Sequence, residues 1–107
     1  MEIEVLYVAD CPSYEPLMSR LRVLLRRAGI EDEIAPRLVE SEEHARRLRF
    51  VGSPTVRIDG RDVEPEADAR TEHGVACRLY RTADGTAGLP PDRLIMAALR
   101  AAARVTR

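Results

Sequence analysis

The stretch from Ile3 to Gly29 constrains the fold most. Ile3 to Val8 is a short apolar run of Ile, Val, Leu and Tyr around one acidic residue, the pattern of a buried central strand. The run ends at Asp10-Cys11-Pro12, and a helical pattern follows directly. Ser13 is a candidate N-cap, and Pro16 falls in the first turn, where its missing N–H costs nothing. Leu17, Leu21, Leu24, Leu25 and Ala28 then recur at helical spacing. Arg20, Arg22, Arg26 and Arg27 lie largely off that stripe, and Gly29 provides a C′ stop. A strand feeding a helix in this way returns to a parallel neighbour through a right-handed crossover.

The return strand falls at Glu33 to Val39, with Pro36 marking an edge or a bulge. Ser41 can cap a second helix through Arg49, supported by the pairs Glu42–Arg46 and Glu43–Arg47. Thr55-Val56-Arg57-Ile58 alternates and meets Asp59-Gly60, a type I′ hairpin signal, with Arg61 to Val63 returning. Glu64 to Leu89 has no clear period, which is unusual inside a small domain. Within it, Ala76 to Arg81 is a candidate extra strand. Pro90-Pro91 opens a last helix with Leu94, Ile95, Ala98, Leu99 and Ala102 as its buried stripe. The expectation is one α/β domain over 1–107, ordered βαβαββα, with an atypical segment before the last helix.

Composition narrows the function classes. The chain has 107 residues, 45% hydrophobic and 33% charged, with a net charge of −1, a globular balance with room for one core. A nucleic-acid binder would carry a basic face, and the basic stretch from Arg20 to Arg27 reads as the solvated side of a helix. No apolar run is long enough for a membrane span, and the acidic start Met1-Glu2-Ile3-Glu4 does not resemble a secretory signal. The expected location is the cytoplasm. Lysine, asparagine and glutamine are absent. Arginine as the sole cation reads as codon bias of a GC-rich bacterial genome rather than as many planar fork contacts. Two cysteines in a cytoplasmic chain are core residues or reactive thiols rather than a structural staple.

Cys11-Pro12-Ser13-Tyr14 at a helix start, together with Gly52-Ser53-Pro54-Thr55-Val56 before the third strand, resembles the thioredoxin-like superfamily. The first segment stands where that family carries Cys-x-x-Cys, and the second resembles its cis-proline loop. The resemblance implies a three-layer thioredoxin-like fold over Met1 to about Val63 plus the last helix. It also implies that Ser53, Pro54 and Thr55 hold an open backbone edge for substrate. Tyr14 replaces the second cysteine, so the ordinary dithiol is absent. With Gly88-Leu89-Pro90-Pro91, the chain is similar to small bacterial thioredoxin-like proteins, some labelled alkylmercury lyase.

Cys11 is the leading candidate. At a helix N-terminus the dipole and free N–H groups stabilise a thiolate, which is both nucleophile and soft-metal ligand. The alternative is a small buried core cysteine. Cys77 is a candidate resolving thiol, a second metal ligand, or a residue buried in a sheet beside Leu79. Asp10 can act as proton donor or acceptor, or simply end the strand. Tyr14 can hydrogen-bond the Cys11 thiolate or pack over the helix start. His73, four residues before Cys77, suits one helical face, one metal, or an ordinary surface position; His44 belongs to a solvated helix.

Four functions fit. The leading one is thiol–disulfide or peroxide-type redox chemistry, with Cys11 attacking and Cys77 or an external thiol resolving. The others are a carrier of a soft metal such as mercury held by Cys11 and Cys77, an organomercurial lyase using both thiols and Asp10, and a non-catalytic binding module. No organic cofactor is assigned. The expected partner is a thiol or disulfide substrate or a soft metal, with neither nucleic acid nor membrane.

Overall fold

The structure is a computed structural model and describes residues 1–105. Strand β1 (Ile3–Tyr7) pairs in parallel with β2 (Ile34–Leu38) and antiparallel with β3 (Thr55–Ile58). A short β4 (Arg61–Asp62) completes a mixed sheet of order β2-β1-β3-β4. The turn between β3 and β4 has positive φ at both Asp59 (52°) and Gly60 (81°), the requirement of a type I′ hairpin. β2 is the outer strand and is largely exposed, in keeping with Pro36, which has no N–H to donate.

Strand alternation sends Ile3 and Val5 to one face, where they meet Val56 and Ile58. Helices α1 (Tyr14–Arg27) and α3 (Asp92–Val105) cover that face with Leu17, Leu21, Leu24, Leu25, Ile95 and Leu99. Leu6 points to the opposite face, where Val39, Ala45 and Phe50 gather under α2 (Glu42–Leu48). The result is a mixed α/β architecture with helices on both faces of the sheet. Each large side chain in this core contributes roughly 1.5–3 kcal/mol of burial. An Arg20–Asp92 ion pair ties α1 to the first turn of α3, its Nε donating to Asp92 Oδ1 at 2.9 Å.

The helix ends follow their local chemistry. Ser13 is the N-cap of α1, but its side chain makes no capping bond; its carbonyl starts the ladder by accepting from Leu17 N–H. Ser41 does cap α2, its hydroxyl accepting from His44 N–H at 3.0 Å, and His44 Nδ1 accepts from Glu40 N–H. His44 is thus part of a helix start. Ala28, expected on the apolar stripe of α1, is its exposed C-cap.

The segment from Glu64 to Leu89 is more ordered than its sequence suggests. It contains a 3-10 turn (Pro65–Ala69), then β5 (Tyr80–Thr82) and β6 (Gly85–Ala87), which form a separate two-stranded hairpin. The expected strand over Ala76 to Arg81 is corrected: a lone parallel bridge joins Cys77 to Ser53, and regular pairing begins only at Tyr80. No helix among the described residues is long and apolar enough to cross a membrane.

Candidate functional site

The C-terminal end of β1 and the head of β3 meet at one end of the sheet. Leu6 is the last β1 residue opposite Thr55, so Val8 emerges beside Ser53. Val8 N–H donates to Ser53 Oγ at 3.1 Å. Cys11 N–H donates to the Val8 carbonyl at 3.3 Å, which turns the chain toward α1 after Asp10, whose φ of 61° is left-handed. Cys11 is half-buried in the turn between β1 and α1, two residues before the Ser13 N-cap.

Ser53 is the joint of the site. It is buried, and its peptide bond to Pro54 is cis. Its N–H donates to the Ala76 carbonyl at 2.8 Å, and its carbonyl accepts from Arg78 N–H at 2.9 Å. The backbone edge expected to be open for substrate is thus filled by the chain's own 76–78 segment. Cys77 lies directly across from Ser53 and is exposed to solvent. Its burial beside Leu79 does not occur: Leu79 is itself 64% exposed, while Arg78 and Tyr80 point inward.

A buried charge cluster holds this arrangement. The Arg78 side chain is only 1% exposed and forks onto Asp62, Nη1 to Oδ2 at 2.7 Å and Nη2 to Oδ1 at 2.9 Å. It also donates to Glu64 at 3.2 Å and to Thr55 Oγ1 at 3.0 Å. Arg70 reaches the same Glu64 oxygen at 2.8 Å. The Arg78 guanidinium stacks 4.3 Å from the centre of the Tyr80 ring, whose O–H donates to the Pro54 carbonyl. Burial opposes the charge on Arg78, but the hydrogen bond and field of Asp62 outweigh it and hold its pKa above the ordinary value. Burial likewise pushes the Tyr80 phenol well up, so it remains an O–H donor. The sequence does not reveal this cluster, because arginine is its sole cation and codon bias accounts for that usage without fork contacts.

Gly52 makes the close approach of the two segments possible. Its φ is +138°, and a Cβ there would sit 2.8 Å from Arg78 Cβ. Gly88 plays a similar part at the other side, where a Cβ would run into Ser13 Oγ at the start of α1. The Gly88-Leu89-Pro90-Pro91 turn therefore packs against the helix that follows Cys11.

The remaining candidates fall into place around this end of the sheet. Tyr14 N–H donates to the Cys11 carbonyl, and its ring stacks on Tyr7 with centroids 3.9 Å apart. Partial burial first, and then Tyr7, raises the Tyr14 phenol above its ordinary range. Asp10 is exposed in the turn before Cys11, whereas Pro54 and Thr55 are buried. Thr55 O–H donates to the Gly52 carbonyl at 2.7 Å. His73 is half-buried in non-helical chain and lines a cavity of about 230 Å³ with Arg57 and Arg70. Among the described residues, no group of three or more His, Cys, Asp or Glu side chains is placed to share a metal. No family model, curated protein or solved structure matches this chain, so its functional reading rests on the arrangement of Cys11, Ser53 and Cys77.

Proposed function

We propose that the chain is a thiol-dependent redox protein of thioredoxin-like architecture in which Cys11 is the attacking thiol. The element order from β1 to β4 and the proline loop at the head of β3 support the architectural part. The observation that carries the functional part is the Ser53 joint. One hydrogen bond links Ser53 to the strand end that presents Cys11, and two more bring Cys77 to the same end of the sheet. Cys11 stands half-buried in the turn between β1 and the Ser13 N-cap of α1.

The chemistry is thiol–disulfide exchange. The Cys11 thiolate attacks one sulfur of a disulfide RS–SR; a Cys11–SR bond forms, the S–S bond breaks, and RS⁻ leaves to take a proton from water. Cys77, or an external thiol, then attacks the Cys11 sulfur and expels the second RS⁻. Two electrons pass from the protein thiols to the substrate, and an external dithiol returns them. The test is disulfide reduction with an external dithiol as reductant. Cys11→Ser should lose all turnover above background, and Cys77→Ser should slow only the second step. Turnover by Cys11→Ser at the parent rate would remove the proposal. A soft-metal carrier would instead hold one Hg²⁺ without turnover and lose it in either variant. A lyase would release hydrocarbon from an organomercurial.

A further inference from the structure

We infer that this site takes low-molecular-weight disulfides and similar small soft electrophiles, not the extended backbone of a protein substrate; the inference rests on the redox reading above. An extended peptide docks on a sheet through unpaired edge N–H and C=O groups. Beside Cys11 such an edge exists at Ser53, and both of its groups are consumed by Ala76 and Arg78 of the same chain. The other edge that runs to this end of the sheet is the outer side of β2, and Pro36 at its centre has no N–H.

The 76–78 segment is a fixed wall rather than a displaceable strand. Gly74 N–H donates to the Phe50 carbonyl at 3.1 Å, and Val75 N–H to Glu42 Oε1 at 3.2 Å. Arg78 anchors the other end through its fork on Asp62 and its bond to Glu64. Lifting the segment would leave the Asp62 carboxylate, only 5% exposed, without its cation. Such a step is far costlier than the pairing a peptide would gain in exchange. A small disulfide needs no such edge, and Cys11 keeps partial exposure to solvent.

The experiment compares two substrates on the wild-type chain. Bis-hydroxyethyl disulfide and insulin are reduced under one external dithiol, each rate divided by its own uncatalysed rate. The small disulfide should be accelerated at least about tenfold more, since two edge hydrogen bonds denied to a peptide are worth that in affinity. Equal acceleration of both would overturn the inference and leave the redox function standing. Acceleration of neither would remove the redox function and the inference with it. Amide hydrogen exchange provides a readout independent of turnover. The Ser53 and Arg78 amides should be protected and stay protected in excess peptide. Loss of their protection on adding peptide would overturn the inference.

Discussion

Replacing Arg78 by Met tests what holds the proline loop and the Cys77 segment together. The substitution keeps much of the side-chain volume and removes a guanidinium that is 1% exposed. Asp62, 5% exposed, loses its bidentate partner, and Glu64 keeps only Arg70 at 2.8 Å. Removing one partner of a buried ion pair costs about 3–5 kcal/mol, and the surviving Arg70 contact places the expected loss near the lower end. For a chain of this size each kcal/mol is worth about 4 °C or more, so the melting temperature should fall by roughly 12 °C or more. Circular dichroism during heating and urea titration reads the change. The triple variant Arg78→Met, Asp62→Asn, Glu64→Gln should recover most of it, because no uncompensated buried charge remains. A single variant within about 1 kcal/mol of the parent, or a triple variant no better than the single one, would refute this reasoning.

Two other perturbations probe separate links. Gly52→Ala forces a side chain at φ +138° with its Cβ 2.8 Å from Arg78, and should cost about 2 kcal/mol or more; an unchanged melting temperature would contradict the close approach. The Arg20 hydrogen bond holds the Asp92 carboxyl below its ordinary range, so this pair stabilises the fold above the unfolded carboxylate pKa and ceases to do so as pH falls through the lower folded value. Both partners are about four-tenths exposed, so solvent screening keeps the contribution small. The stability gap between parent and Asp92→Asn should be present at neutral pH and close in strong acid; a gap that widens on acidification would contradict the pairing.

The βαβαββ order and the last helix are legible in the sequence because periodicity and turn chemistry agree there. Leu17 to Leu25 is a helical stripe that becomes core, and Asp59-Gly60 adopts the turn its residue types favour. The 64–89 segment is not legible for two reasons. Alternation places Leu79 inward, yet Arg78 and Tyr80 are the buried residues, because two carboxylates and a ring compensate the guanidinium. Asp84-Gly85 is a hairpin signal that passes unused; the β5–β6 turn is centred one residue earlier, with Thr82 opposite Gly85. Cys11 at the strand–helix junction is readable locally, since its position depends on neighbours in sequence. The position of Cys77 is not, because a bridge across to Ser53 sets it.

The most direct test of the central claim is to find which thiol a substrate disulfide captures first. Reduced protein is mixed with bis-hydroxyethyl disulfide, quenched with acid at short times, and digested for mass spectrometry. In the parent and in Cys77→Ser the first adduct should map to Cys11, while Cys11→Ser should form no adduct on the turnover timescale. An adduct that maps to Cys77 alone, with turnover retained in Cys11→Ser, would contradict the assignment of Cys11 as the attacking thiol.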